Sequence, residues 1–305
     1  MSGDSPAAYR RSLLSVPASS PDMIEKAFAT DADAVMIDLE DAVAPDAKAG
    51  ARRNVVQGLN ELDPGTKVVL YRANALDTPY FYRDLIEVVE EAGDALDAVV
   101  IPKVNHAGDL YVVDTLLSQI EAAVNLGRVV KTEAQIESAA GLANADTIAN
   151  ASGRLEALHF GPGDYAASMG MPQTSIGTMD EWDHTYPGHR FHYAMQRIVV
   201  AARAAGIQAL DGPVADYRDE EGLRESCAVA RSLGFDGKWC IHPAQIGPVN
   251  ETFSPTGEEV AWAEKVVGAY EAANTAGSGS ISVEGQMIDA ASIRMARRIL
   301  DIVQG

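Results

Sequence analysis

A (β/α)8 TIM barrel with a C-terminal helical extension is the fold this sequence predicts, and three observations predict it. Eight short apolar segments alternate with stretches of helical length. The charged or polar residues Asp38, Glu40, Arg72, Lys103, Glu137, Asp164 and Asp211 fall at the C-terminal ends of those segments, where barrels carry their chemistry. At 305 residues and 47% hydrophobic, the chain can bury the core of one large barrel. A doubly wound open sheet is the runner-up, but it does not predict so many charged strand ends.

The strands follow in order. Residues 12–17 form the first, and Ser19-Ser20-Pro21 opens a helix with a cap and a proline at its first position. The second covers 34–39 and ends in Asp38-Leu39-Glu40-Asp41, with a helix over 46–62. The third, 67–72, ends on Arg72, with a helix over 79–92. The fourth is 98–103, with a helix over 108–126. The fifth, 129–137, is weak, because Lys131, Glu133 and Gln135 alternate with smaller or apolar residues. It counts as a strand through its place in the alternation. The sixth is 155–160. A helix over 190–205 precedes the seventh, 207–211, and a helix over 220–233 precedes the eighth, 238–243.

Residues 1–253 make up the barrel domain. In 254–305, a helix over 255–273, a linker over 274–280, the stretch 281–289 and a last helix to 303 fall outside eight repeats. A tethered segment of this kind suits a lid, or a reach to a neighbouring subunit.

Charge and cysteine content narrow the function classes. Lys and Arg number 24 against 44 Asp and Glu, a net charge of −20. That excludes nucleic-acid binding through a broad basic face and disfavours an anionic membrane surface. So large an excess, spread over the helices, is read as halophilic adaptation to a salt-rich cytoplasm; ordinary solubility is the plainer alternative. Cys227 and Cys240 are the only cysteines, so no disulfide framework is expected and a cytoplasmic location follows. Both are expected in the core. Residues 1–9 lack the apolar core of a signal peptide, and no apolar run reaches membrane-spanning length.

Two carboxylates organise the chemistry. Glu137 ends the fifth strand, and Asp164 follows the sixth within Gly161-Pro162-Gly163-Asp164-Tyr165, a loop where backbone can approach a ligand. Acids on successive strand ends form a hard-oxygen site suited to Mg2+; each taken alone could be a helix cap. With no cysteines or paired histidines nearby, zinc is disfavoured. His189 and His192 read as a packing pair at a helix start. Arg72 either meets a carboxylate or a developing enolate oxygen, or pairs with Glu40 or Asp41. The surplus acids Asp38, Glu40 and Asp41 are expected to hold metal-bound waters or to orient Arg72. Lys103 is the Schiff-base candidate, with an ion pair to the acidic cluster as its alternative. No Walker loop and no Rossmann glycine pattern is present.

Several stretches in order carry a resemblance: residues 11–17, Asp38-Leu39-Glu40-Asp41-Ala42-Val43, the arginine of Tyr71-Arg72-Ala73-Asn74, Gln135-Ile136-Glu137, Phe160-Gly161-Pro162-Gly163-Asp164 and residues 237–245. Over nearly its whole length the chain resembles the CitE-like branch of the citrate lyase/HpcH aldolase superfamily. Residues 209–213 and 285–289 are most similar to the malyl-CoA/β-methylmalyl-CoA lyases.

The resemblance implies Mg2+ (or Mn2+) held by Glu137 and Asp164, with a 2-oxo acid such as glyoxylate on the ion. Arg72 matches an arginine that steadies a thioester enolate. Asp289 matches an aspartate that enters an adjacent subunit's site and moves the proton. Gly163, Asp164, Ile241 and His242 fall at substrate-contacting positions. Ser15, Ser20 and Lys26 fall where coenzyme A is held, although Pro17-Ala18-Ser19 replaces a proline-glycine common in that loop. A homotrimer or homohexamer is implied. The expected reaction is reversible Claisen cleavage of malyl-CoA or β-methylmalyl-CoA to glyoxylate and acetyl- or propionyl-CoA. A malyl-CoA thioesterase, a citramalyl- or citryl-CoA lyase and a non-catalytic metabolite-binding subunit are the alternatives.

Overall fold

The barrel closes because the first and last strands pair with no side chain standing between their backbones at one point. β1 (Ser12–Pro17) and β8 (Gly237–Cys240) run parallel, with Ser12 opposite Lys238 and Leu14 opposite Cys240. A Cβ on Gly237 would collide with the carbonyl oxygens of Arg10 and Arg11. Glycine lets the chains approach, and the Lys238 N–H donates to the Arg11 carbonyl at 2.8 Å.

The computed structural model describes residues 9–172, 175–185, 189–275 and 281–304. The N-terminal segment read as lacking a signal peptide lies almost wholly outside these residues, as does most of the expected linker over 274–280. Between β1 and β8 run β2 (Ala34–Asp38), β3 (Val68–Arg72), β4 (Ala98–Ile101), β5 (Lys131–Ile136), β6 (Leu155–Phe160) and β7 (Gln208–Asp211). All eight pair in parallel, in chain order, around a closed barrel. No described helix is long and apolar enough to cross a membrane.

The helices present apolar faces to the strands. On α3 (Phe81–Ala92), Phe81, Leu85, Val88, Val89 and Ala92 are buried, one face at helical spacing. α1 (Pro21–Phe28) begins on its proline as expected, but Ser20 makes no side-chain cap bond. α2 (Lys48–Glu61) and α4 (Ala107–Val124) follow β2 and β4. After β5 come the short α5 (Ala139–Ala143) and α6 (Ala145–Ala149), and Ser138 Oγ caps α5 by accepting from Gly141 N–H at 2.9 Å. α7 (Pro162–Met169) follows β6 directly, so the glycine-rich stretch expected as a loop is largely a first helical turn. α8 (Glu181–Thr185), α9 (His192–Ala205), α10 (Glu220–Leu233) and α11 (Ile246–Phe253) complete the set as far as residue 253.

Alternation along the strands explains β5. Successive side chains point to opposite faces, so Glu133, Gln135 and Glu137 share one face with neighbours that form the interior. Leu13, Met36, Leu70, Val100, Leu210 and Trp239 are that interior's apolar part. The polar residues that weaken the strand in sequence are therefore the inward row. Asp211 ends β7 as expected, but Leu210 faces in, so Asp211 faces out and pairs with the buried Lys238 Nζ on β8. Cys227 and Cys240 are buried and free as expected; burial pushes the Cys227 thiol up to about 11.

Residues Met1–Asn250 and Glu251–Gly305 form two compact units. In the second, α12 (Gly257–Thr275), an antiparallel hairpin of β9 (Ile281–Val283) and β10 (Gln286–Ile288), and α13 (Ala290–Gln304) pack on a small core. Ala263, Val266, Val283, Ile288, Ile293 and Ala296 build it.

Gly237→Ala is expected to destabilise the chain by about 1–3 kcal/mol through overpacking against backbone. Urea unfolding measures it; a change below about 0.5 kcal/mol, the usual scale of a surface substitution, would show that the closure tolerates a side chain.

Candidate active site

Three strand ends meet at the barrel mouth. Asp38 on β2 and Arg72 on β3 are opposite one another in register, so their side chains lie on one face. Arg72 Nε donates to Asp38 Oδ1 at 2.8 Å and Nη2 to Oδ2 at 2.7 Å, a two-point fork. Arg72 Nη1 lies 2.8 Å from Glu40 Oε2 and donates to Gln135 Oε1 at 3.3 Å. The guanidinium lies over the Trp239 ring, 5.4 Å from its centroid. Asp38 also accepts the backbone N–H of Glu40 at 2.8 Å, and Lys48 Nζ donates to the Leu39 and Glu40 carbonyls at 2.7 and 2.6 Å. The loop after β2 is thus tied from two sides. Burial alone would raise the Asp38 carboxyl, but the Arg72 charge and fork outweigh it and hold the group below its ordinary value.

Glu137 is 2% exposed and faces the same space. Its Oε1 accepts the Lys103 backbone N–H at 2.8 Å, and its Oε2 accepts Gln135 Nε2 at 2.6 Å. Lys103 takes φ of 54°, in the left-handed region. Gly161 makes room for the carboxylate: a Cβ there would lie 2.9 Å from Gln135 Nε2 and closer still to Glu137 Oε2. Asp164 is the third residue of α7, half-buried at its first turn.

A cleft of about 440 Å³ opens here, lined by Ser15, Asp38, Asp41, Arg72, Glu137, Gly163, Asp164, Trp239 and Ile241 among others. Here Asp38, Glu40, Asp41, Glu137 and Asp164 gather against Arg72, Lys103 and Lys48, so acids outnumber bases. Burial, then Glu40 and Asp164, push the Glu137 carboxyl well above its ordinary value despite Arg72. A buried carboxylate among like charges is the position a cation relieves. Among the described residues no group of three or more His, Cys, Asp or Glu side chains forms a ready cage. Two carboxylates with the remaining positions left to water or ligand oxygens suit magnesium.

The structure brings most of the expected residues together and sets others apart. Arg72, Glu137, Asp164, Gly163, Ser15 and Ile241 line one cleft. Of the alternatives for Arg72, the pairing with Glu40 is met, and its fork goes to Asp38 and not to Asp41. Lys103 Nζ lies 2.8 Å from Glu40 Oε1 and 3.6 Å from Asp41 Oδ1. Burial alone would lower its pKa; the Glu40 bond outweighs burial and holds it above the ordinary value, the wrong direction for a Schiff-base nucleophile. Ser20 and the exposed Lys26, on α1, do not line the cleft. His242 does not line it either: its ring stacks on Tyr217, centroids 4.4 Å apart, and Nδ1 accepts the Ala244 N–H. Asp289 belongs to the second unit, where it is exposed and caps α13 by accepting the Ser292 N–H at 2.8 Å. Trp239, Gln135 and Lys48 are site residues with no assigned role in the sequence; the polar alternation of β5 was the available signal for Gln135.

The chain is similar to known proteins over most of its length. A profile described as HpcH/HpaI aldolase/citrate lyase matches residues 11–243. An L-malyl-CoA/beta-methylmalyl-CoA lyase of Cereibacter sphaeroides is 44% identical over 301 residues, covering 97% of this chain and 95% of that one. A malyl-CoA/beta-methylmalyl-CoA/citramalyl-CoA lyase of Chloroflexus aurantiacus is 33% identical, covering 89% and 81%. Among solved structures, protein CitE of Mycobacterium tuberculosis in complex with magnesium, acetoacetate and coenzyme A aligns with a TM-score of 0.76 at 31% identity, covering 98% and 99%.

Gly161→Ala should displace the Glu137 carboxylate and weaken divalent-ion binding by about tenfold or more. Calorimetric titration with Mg2+ or Mn2+ reads this directly; unchanged affinity would mean that Glu137 does not hold the ion.

Proposed function

The chain belongs to the HpcH/HpaI aldolase/citrate lyase family, and on that premise we propose that it is a magnesium-dependent carbon–carbon lyase. It cleaves malyl-CoA and β-methylmalyl-CoA, reversibly, to glyoxylate and acetyl-CoA or propionyl-CoA. The observation that carries this most is the placement of Arg72, Glu137 and Asp164 in one cleft.

Cleavage breaks the bond between the hydroxyl-bearing carbon and the carbon next to the thioester. The hydroxyl proton is lost, its carbon becomes the aldehyde of glyoxylate, and the electron pair passes into the thioester as an enolate. Glu137 and Asp164 would hold magnesium, which would supply Lewis acidity to the hydroxy acid. Arg72 takes the charge on the thioester oxygen. A guanidinium has five N–H donors and the contacts above use up to four, which leaves one for that oxygen. Because Asp38 fixes the fork beforehand, little reorganisation is needed as charge develops.

Asp289 serves the site of a neighbouring subunit, protonating the enolate carbon in cleavage and removing that proton in condensation. Hydrogen bonds to Ser292 hold its carboxyl below the ordinary aspartate value, so at neutral pH it removes the carbon's proton directly in condensation, and in cleavage it first takes up the proton that the hydroxyl loses. The barrel of 1–253 and the extension of 254–305 therefore act in a homotrimer or homohexamer. Ser15, Ser20 and Lys26 contact coenzyme A, and Ile241 and His242 border the substrate. The Chloroflexus relative's name adds citramalyl-CoA to the substrates to be tried. The cytoplasmic, halophilic setting accords with the net charge of −20.

Glyoxylate release from malyl-CoA, β-methylmalyl-CoA and citramalyl-CoA, with and without Mg2+, tests the activity. Coenzyme A release without glyoxylate would replace the lyase by a thioesterase. Arg72→Ala should lower turnover by about a hundredfold or more, the scale of a lost oxyanion donor; near-normal turnover would remove its role. Thermal stability and activity should both rise as KCl screens the acidic surface, and a protein indifferent to KCl would overturn halophily.

A further inference from the structure

Beneath Arg72 a line of buried polar side chains crosses the barrel interior, and none of them touches substrate in the chemistry above. Trp239 forms part of the cleft floor, with its ring under the guanidinium. Its indole N–H donates to His159 Nδ1 at 2.6 Å. An indole nitrogen can only donate, so Nδ1 carries no proton and the imidazole hydrogen sits on Nε2. From there it is donated to Glu133 Oε2 at 2.7 Å. The other Glu133 oxygen lies 2.6 Å from Arg10 Nη1. Arg10 ends the line by donating Nε and Nη2 to Gln208 Oε1 at 3.1 and 3.0 Å.

Every link has one direction. Burial favours neutral imidazole at His159. Burial would raise the Glu133 carboxyl, but Arg10 and His159 outweigh it and bring it down to about 2. A charged acceptor below and a donor-only indole above allow the imidazole a single tautomer and a single orientation. The apolar neighbours Met36, Leu70 and Val100 give the indole packing but no direction. Such a buried polar line offers little stability over hydrocarbon of the same shape, and what it provides is a fixed arrangement.

We propose that Glu133, His159 and Trp239 are positioning residues that lock the plane of the indole beneath Arg72 and so hold the guanidinium where the thioester oxygen develops charge. This rests on the lyase reaction proposed above. Asp38 fixes one edge of the guanidinium; the ring face fixes its plane.

The test is a set of variants read as kcat and KM. Trp239→Phe keeps a ring face and removes the N–H; His159→Leu breaks the line; His159→Gln keeps an acceptor and a donor. The first two should each lower kcat about tenfold or more with KM changed less than about twofold, and His159→Gln should recover most of the loss. The Trp239→Phe/His159→Leu double variant should be no slower than the slower single, and neither change should slow the enzyme further once Arg72 is alanine. Additive losses, losses that persist without Arg72, or near-normal kcat in both single variants would reduce the line to core packing. Should His159→Leu not fold, Trp239→Phe and His159→Gln carry the comparison. Exchange protection of the Arg72 Nε–H in protein labelled with isotopic arginine is the readout independent of catalysis. Protection lost in Trp239→Phe supports the proposal even if the wild-type enzyme shows no lyase activity; protection retained overturns it.

Discussion

Two parallel N–H···O bonds between Arg72 and Asp38 set the geometry on which the mouth of the barrel depends. They join the ends of adjacent strands that are already in register, so the fork needs no long flexible reach. Once Arg72 is fixed, Glu40 and Gln135 come to its other nitrogen, and Gln135 passes the constraint on to Glu137. The site is a chain of short-range consequences of strand pairing. Its excess negative charge is concentrated where a divalent ion would be bound.

The fold was legible because strand periodicity and the alternation with helices survive local ambiguity. Arg72 could be located because a charged group ending an apolar strand is costly unless it is paired or facing a cleft, and Glu137 and Asp164 because they close or follow successive strands. Asp211 obeys the rule through its pair with Lys238, but the rule does not say which way a strand-end side chain points. A residue at a strand end faces in or out according to a period of two, and Leu210 takes the inward position there. Gly161-Pro162-Gly163-Asp164 looks like a loop on glycine content, yet proline at the first helical position and aspartate in the first turn suit the start of α7.

The interior line was not legible at all. Glu133, His159 and Trp239 are separated by 26 and 80 residues along the chain, and no local pattern links them. In isolation, Glu133 only weakens a strand, and Trp239 has no reading of its own within 237–245. Only closure of the barrel, made possible by Gly237, brings β5, β6 and β8 to face one another across the interior. The polar alternation on β5 is therefore a folding liability by propensity and a requirement of the site by topology.

The most direct measurement is a crystal structure of the protein grown with manganese, glyoxylate and a CoA thioester, with the ion located by anomalous scattering. The proposed chemistry predicts one ion bonded to both Glu137 and Asp164, with Arg72 donating to the thioester oxygen. An ion held elsewhere, or Glu137 and Asp164 turned away from each other with no ion shared, would contradict it.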